Sequence, residues 1–184
     1  MKAQLPKDCV LALCDFETNG LDPVKNDPIE VGILFCDSDL NVLTTVESLI
    51  RCETFDESHF PALRVHGITP MLLQNAPLAS DVVREIYEGC QLAKEITRAK
   101  KVVLCSDNAH FEHGFMQKLF RLAEGDPTDF PDCFRWPFHY CTWDTSLLLE
   151  MTGVGDPVPV HRAMADVGRL HTALVKAKRI LEGI

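Results

Sequence analysis

The chain has 184 residues, a size that fits one domain, which we expect to span residues 1–184. It is 46% hydrophobic, and its formal net charge of -9 argues against a broad surface for coating nucleic acid, because such surfaces need clustered Lys and Arg. No apolar run reaches the roughly 18 residues of a membrane span, and the N-terminal residues lack the apolar region of a signal peptide, so we expect a cytoplasmic protein without a membrane partner.

The cysteines are expected to be thiols rather than disulfides. Several lie in or beside apolar runs, where a cysteine behaves as a small buried hydrophobe: Cys14, Cys36, Cys90 and Cys105. Without a secretory signal, a disulfide framework is not expected. The only zinc-like cluster lacks CxxC spacing and an obvious fourth ligand, so we do not predict a zinc site at Cys133, His139 and Cys141.

The first fifty residues are predicted to form strands. Val10 to Asp15 is a short apolar run typical of a buried strand, and Asn19-Gly20 marks a turn after it. The second and third predicted strands are Pro28 to Cys36 and Asn41 to Arg51, with a hairpin loop at 37–39 between them. We therefore expect the chain to open with an antiparallel meander.

The rest of the chain is predicted to alternate helices with a short strand. His59 to Ala79 contains three prolines and a glycine and is expected to be irregular. Further elements are predicted at Ser80–Ala99 (a helix with Ser80 and Asp81 as N-cap candidates), Lys101–Cys105 (a strand), Phe111–Glu124 (a helix ended by residues 125–127), Trp143–Met151 (a helix) and Ala163–Leu181 (the most regular helix). This order predicts an α/β domain around a mixed sheet.

Two carboxylates follow the first predicted strand. Asp15 and Glu17 are two residues apart, which places both side chains on the same face of an extended strand. There they can share one divalent ion. The alternative is an ordinary, solvated strand end.

Two further carboxylates and a histidine lie at apolar edges of predicted helices. Glu112 is near the centre of an apolar helix face, where an ionised glutamate needs a cation, a proton, or a local pair with His113 or Lys118. Asp166 lies at the edge of the last helix's apolar stripe, and His161 precedes it on the loop into that helix. A lone histidine there is usually a cap or surface residue, so its functional interpretation rests on its neighbours.

Four carboxylates and one histidine suit the two-metal hydrolysis of a phosphodiester. In that chemistry two Mg²⁺ ions roughly 3.5–4 Å apart stabilise the attacking and leaving oxygens. Carboxylates are preferred ligands of Mg²⁺, and a histidine can take the proton of the attacking water. The sequence has no P-loop, Rossmann glycine fingerprint or GxSxG elbow that would indicate another chemistry.

Six motifs follow one another in a characteristic order. They are DFETNGL at 15–21, PIEVG at 28–32, HGIT at 66–69, NAHFEHGF at 108–115, DT at 144–145 and HRAMAD at 161–166. With these motifs the chain resembles the DnaQ-like, or DEDDh, 3′→5′ exonucleases, a family that includes polymerase proofreading subunits. Any one motif is weak, but together they are specific and cover most of the chain.

The chain departs from that family's pattern at two positions. Glu112 stands where the second motif normally carries Asp, which keeps the carboxylate and adds one methylene. Asp107 stands where the family often has His, next to the expected substrate position. We expect the first departure to affect metal geometry and preference, and the second to affect substrate affinity or base preference.

The resemblance implies a fold, cofactors and a site. The fold is α/β and RNase H-like, with a mixed five-stranded sheet flanked by helices. Two divalent cations, Mg²⁺ or Mn²⁺, would be bound by Asp15, Glu17, Glu112 and Asp166, with His161 as the general base. The residues expected at the substrate are Phe16, Thr18, Leu21, His66 and Asn108, with Leu21 against the last base and the backbone after Glu17 at the terminal 3′-hydroxyl.

We therefore expect a metal-dependent 3′→5′ exonuclease that releases nucleoside 5′-monophosphates from single-stranded 3′ ends, with DNA as the favoured substrate. The alternatives are a polymerase-associated proofreading or accessory module and an RNA-end-trimming exoribonuclease of the same family. A polymerase and a second copy of this chain are the candidate protein partners, although the short sequence after the last apolar repeat favours a free-standing enzyme. An inactive relative is disfavoured, because all five polar positions keep competent side chains.

Overall fold

One mixed, five-stranded sheet forms the centre of the described structure. The computed structural model describes residues 8–52, 59–124, 136–154 and 159–183. Its strands are β1 (Cys9–Thr18), β2 (Pro28–Cys36), β3 (Val42–Leu49), β4 (Lys101–Ser106) and β5 (Trp143–Asp144). They are arranged in the order β3-β2-β1-β4-β5. β2 is antiparallel to both β1 and β3, whereas β1, β4 and β5 run parallel.

Helices flank this sheet and complete the expected α/β architecture. The described ones are α1 (Phe60–His66), α2 (Pro70–Gln74), α3 (Ala79–Thr97), α4 (Ala109–Glu124), α5 (Ser146–Met151) and α6 (Ala163–Glu182). Among the described residues, no helix combines the length and apolar character needed to cross a membrane. The predicted antiparallel meander and the mixed five-stranded sheet are both confirmed.

The predicted helix Trp143–Met151 is wrong in its first part. Trp143 and Asp144 pair with β4 as the edge strand β5, and the helix begins only at Ser146. The Asp144 side chain accepts hydrogen bonds from the backbone N–H groups of Ala109, at 3.3 Å, and Ser146, at 3.1 Å. A pairing with a distant strand thus overrides the local helical pattern.

The prediction of an irregular segment at 59–79 is also wrong, because α1 and α2 lie within it. Each of these short helices has a proline in its first turn, where the missing N–H removes no intrahelical hydrogen bond. The predicted helix Ser80–Ala99 is confirmed as α3, but its N-cap is Leu78, so Ser80 and Asp81 lie inside the first turn. The expected end of α4 at 125–127 lies outside the described residues.

Each face of the sheet has its own apolar core. Along β1 alternate residues, Val10 to Phe16, pack with α3 and α4, whereas Leu11 and Leu13 pack with α5 and α6. By the same alternation Asp15 and Glu17 continue the α6 face at the carboxyl end of β1. The two carboxylates therefore lie on one face of β1, as their spacing predicted, and this face meets the start of α6.

A glycine on the neighbouring strand lets α6 lie directly on the sheet at this point. Gly32 of β2 is the cross-strand partner of Asp15. A Cβ atom at Gly32 would lie 2.6 Å from backbone atoms of both Ala163 and Met164. Any larger residue would therefore push the first turn of α6 away from the carboxylates.

A matched pair of helical glycines tests how tightly the sheet is packed. A Cβ at Gly89 in α3 would lie 2.8 Å from the fully buried ring of Phe35, whereas one at Gly168 in α6 would meet nothing within 4 Å. We expect Gly168→Ala to raise the free energy of unfolding by about 0.5–1 kcal/mol through helix propensity. Gly89→Ala has the same favourable helix propensity, but overpacking against Phe35 should lower its free energy of unfolding by about 1–3 kcal/mol. Urea unfolding followed by circular dichroism measures both, and equal stabilisation of the two variants would contradict the packing described.

Candidate active site

Three carboxylates from two elements converge at the carboxyl end of β1. Each of Asp15, Glu17 and Asp166 offers an oxygen, and these ligand atoms all lie within 4.8 Å of one another. Asp15 and Asp166 are half-buried and Glu17 is buried. Three acceptors this close, partly removed from water, form a suitable site for a hard divalent cation.

Glu112 approaches the same place from α4, on the other side of β1. Its side chain is only 3% exposed, and its carboxylate accepts a hydrogen bond from the backbone N–H of Phe16. The second carboxylate oxygen, Oε2, is buried and has no hydrogen-bond donor among the described residues. Burial, followed by the negative charge of Asp15, raises the pKa of Glu112 well above its ordinary value. A bound cation would give this oxygen the partner that it lacks.

The charge of the cluster is costly without such a cation. Burial, then the charges of Glu17 and Asp166, raise the pKa of Asp15 from 3.8 to about 8. Burial, then the charge of Glu30, raise the pKa of Glu17 from 4.5 to about 7, while Arg162 lowers it. Ionising all of these carboxylates together is therefore unfavourable, and added positive charge would lower that cost.

His161 lies on the loop that leads into α6, as predicted. Its backbone has a φ of 61°, in the left-handed region that only a minority of non-glycine residues adopt. The Asp166 carboxylate holds this loop, accepting hydrogen bonds from the backbone N–H groups of Val160 and His161, both at 2.7 Å, and Arg162, at 3.3 Å. Asp166 therefore faces the carboxylate cluster and also shapes the loop that carries the histidine.

Two residues that the sequence reasoning did not assign to the site lie beside it. Glu30 is 2% exposed and is the cross-strand partner of Glu17. The Arg162 guanidinium donates to Glu30 through Nη2 at 2.6 Å and through Nε at 3.1 Å. A glutamate inside the apolar strand Pro28–Cys36 was the available signal in the sequence. Its position opposite Glu17 depends on strand register, and its contact with Arg162 depends on the fold, so neither could be predicted from the sequence.

The residues expected at the substrate differ in their accessibility. Leu21 is 84% exposed and free to contact a base, and Asn108 is exposed at the start of α4. Phe16 is only 4% exposed and its ring packs in the core, so only its backbone can face the site. The Thr18 hydroxyl donates to the Gly20 carbonyl at 2.6 Å. His66 is buried, and its Nδ1 accepts from the backbone N–H of Ile68 at 3.1 Å.

Asp107 adds a further negative charge to the site. It lines a small cavity of about 40 Å³ together with Asp15 and Asp166, and its charge raises the pKa values of Asp15 and Glu112. Asp107, one of the two positions at which the chain departs from the family pattern, thus lies beside the carboxylate cluster. A carboxylate there makes the site more acidic than a histidine would.

Of the three residues considered for a zinc site, the structure describes His139 and Cys141. His139 Nδ1 accepts a hydrogen bond from the backbone N–H of Cys141 at 3.2 Å, and Cys133 lies outside the described residues. No disulfide links the seven cysteines that the structure describes.

Comparison with solved structures shows the same fold in Exonuclease I. A structure of E. coli Exonuclease I in complex with a dA16 oligonucleotide superposes with a TM-score of 0.66 and 18% identity, over 95% of this chain and 42% of that one. The zinc-bound form of the E. coli Exonuclease I complex with single-stranded DNA gives a TM-score of 0.67 at 18% identity, over 95% and 42%. This chain therefore spans less than half the length of those structures.

Sequence comparison finds relatives that are ribonucleases. Ribonuclease T of Shewanella oneidensis is 25% identical over 91% of this chain and 77% of its own length. Oligoribonuclease of Neisseria meningitidis serogroup A is 26% identical over 89% of this chain and 82% of its own length. A family model described as Exonuclease matches residues 13–174, which include every motif residue from Asp15 to Asp166. The chain belongs to this exonuclease family, the DnaQ-like 3′→5′ nucleases.

Proposed function

We propose that the protein hydrolyses single-stranded nucleic acid from its 3′ end with the help of divalent cations, releasing nucleoside 5′-monophosphates. The observation that carries this proposal is the convergence of Asp15, Glu17 and Asp166 within 4.8 Å, with Glu112 and His161 brought to the same edge of the sheet. No single element could assemble this set, because it joins a strand, a helix on each face and a loop.

The carboxylates fit Mg²⁺ or Mn²⁺ as cofactors. Asp15, Glu17 and Asp166 would hold cations through their clustered oxygens, and Glu112 through its otherwise unpartnered Oε2. Hard oxygen ligands of this kind suit either ion. Bound cations supply Lewis-acid stabilisation of the attacking and leaving oxygens of a phosphodiester.

The chain's own groups have separate tasks in this proposal. His161 accepts the proton of the attacking water, since it lies beside the cluster on a loop held by three hydrogen bonds to Asp166. The exposed Leu21 side chain packs against the terminal base. The backbone after Glu17 meets the terminal 3′-hydroxyl, which orients the last phosphodiester toward the carboxylates.

RNA ends are a second candidate substrate beside DNA ends. The sequence relatives are named Ribonuclease T and Oligoribonuclease, whereas the superposed Exonuclease I structures hold DNA. The acidic chain, with a formal charge of -9, favours a short single-stranded footprint over tracking along a duplex. A polymerase or a second copy of the chain remains a candidate partner, which co-purification and sedimentation would identify.

Catalytic variants test the proposed roles directly. We expect His161→Ala and Asp15→Asn to lower kcat on a 5′-labelled, single-stranded oligonucleotide by about 10²–10⁴-fold, the usual contribution of a positioned base or metal ligand. The matched controls are His171→Gln on α6 and Glu150→Gln on α5, which should keep the wild-type rate. If the wild type releases no mononucleotides with Mg²⁺ or Mn²⁺, or if His161→Ala keeps the full rate, the proposed function is wrong.

A parallel assay of RNA and DNA separates the two substrate classes. RNA and DNA oligomers of one sequence are compared by kcat/KM. Each is about five to ten nucleotides long, which is on the order of a single binding footprint. We expect RNA to be degraded at least as fast as DNA, because the sequence relatives are ribonucleases. A clear preference for DNA would instead place the protein with the superposed Exonuclease I complexes.

Metal removal should make stability depend on pH. Asp15 and Glu17 bind a proton more tightly in the folded protein, with pKa values of about 8 and about 7 against ordinary values of 3.8 and 4.5. The stability that these two carboxyl groups contribute is therefore greatest at a pH below their ordinary pKa values. It is lost as the pH rises through their pKa values in the folded protein. In EDTA we expect Tm to fall between pH 5 and about pH 8, and Mg²⁺ or Mn²⁺ to raise it more at the higher pH.

A single neutral substitution supplies the control for that experiment. Asp15→Asn removes one of the two titrating groups and should flatten the pH dependence of Tm in EDTA. Glu150→Gln, on the exposed surface of α5, should leave it unchanged. A metal-free protein that becomes more stable between pH 5.5 and about pH 8 would contradict the charge argument.

A further inference from the structure

Glu30 is a buried carboxylate with no part in the proposed cation-binding set. It lies on the α6 face of β2 and is 2% exposed. Its oxygens accept hydrogen bonds from Arg162 Nε at 3.1 Å, from Arg162 Nη2 at 2.6 Å, and from the Ala163 N–H at 2.9 Å. These donors are the two residues that follow His161. We propose that Glu30 is a positioning residue that fixes the backbone carrying the catalytic histidine.

The backbone at His161 needs such restraint. Its φ of 61° lies in the left-handed region, which costs a non-glycine residue about 1–2 kcal/mol. Asp166 holds one side of the segment through the N–H groups of residues 160–162. Glu30 holds the other side through Arg162 and Ala163. Loss of either carboxylate therefore frees the segment to relax, and the imidazole moves with it.

Gly32 allows this arrangement to form. It lies two residues after Glu30, on the same face of β2, and a Cβ there would lie 2.6 Å from backbone atoms of Ala163 and Met164. The absent side chain brings the start of α6 within reach of the Glu30 carboxylate. Glu30 and Gly32 together form a docking position for the first turn of α6, which carries Asp166 and follows His161.

The negative charge of Glu30 is unfavourable next to the carboxylate cluster. Its hydrogen bonds to Arg162 and Ala163 are therefore the better reason for a buried glutamate at this position. It is the cross-strand partner of Glu17, and like charges in that relation destabilise a sheet. Both its oxygens accept hydrogen bonds from the segment, and among the described residues Glu30 is not one of the three carboxylates whose oxygens lie within 4.8 Å of one another. Arg162 offsets the repulsion and is itself 53% exposed, so the pair sits at the rim of the site.

A double-mutant cycle with His161 tests the positioning role. This inference rests on the proposed catalytic role of His161. We expect Glu30→Gln to lower kcat by about 10–100-fold, the usual cost of a misplaced catalytic group, with little change in KM. In a His161→Ala background the same substitution should change the remaining rate by less than about twofold, because the group that it positions is gone.

Two variants separate positioning from a loss of folding. If Glu30→Gln does not fold, as judged by circular dichroism, Arg162→Gln tests the same contact from its half-exposed end and should show the same dependence on His161. Lys176→Gln removes an exposed cation from the same helix and should leave the rate unchanged. Multiplicative effects of Glu30→Gln and His161→Ala, or a wild-type rate for Glu30→Gln, would overturn the inference.

Hydrogen exchange provides a readout that does not need activity. Amides of residues 160–163 should exchange at least about tenfold faster in Glu30→Gln than in the wild type, whereas those at the centre of α3 should not change. If the wild type has no nuclease activity but this loop is released, the proposed function fails and the structural part of the inference holds. If exchange at 160–163 is unaltered, Glu30 does not position the segment.

Discussion

Buried negative charge at the carboxyl end of β1 is the constraint on which the rest of the site depends. Ligand oxygens of Asp15, Glu17 and Asp166 lie within 4.8 Å of one another, and burial, then the charges of Asp15 and Glu17, raise the pKa of the almost fully buried Glu112. Placing four carboxylates in such surroundings is unfavourable by itself. The surrounding structure therefore has to supply hydrogen-bond donors or positive charge, and both are present beside the cluster.

The groups that offset this negative charge differ between the two sides of β1. On the α6 side it comes from the chain, because backbone N–H groups donate to Asp166 and the Arg162 guanidinium donates to Glu30. On the α4 side only one N–H, that of Phe16, is directed at Glu112, and Oε2 has no donor in the described part of the chain. Glu112 Oε2 is therefore the carboxylate oxygen here that still lacks a partner in the described part of the chain.

The periodicity of the sequence was enough to predict much of this arrangement. The two-residue spacing of Asp15 and Glu17 placed both on one face of β1, and the helical phase of Glu112 placed it against the core, as observed. The role of Glu30 was not predicted from the sequence. It depends on the strand register, which places Glu30 opposite Glu17, and on Arg162, which is 132 positions away along the chain. The strand at Trp143 was not predicted for a related reason, since only its pairing with β4 makes it a strand.

The same constraint bears on how such a protein would hold its substrate. With a net charge of -9 and much of it gathered at the site, long-range attraction of a polyanion is weak, so affinity has to arise from short-range contacts and bound cations. In the proposed mode of binding, the exposed Leu21 side chain and the backbone after Glu17 would supply such contacts. Asp107 adds a further negative charge beside Asp15 and Asp166. Occupancy of the cation sites would then decide whether a phosphodiester can approach at all, which couples substrate binding to metal binding more closely than in a less acidic site.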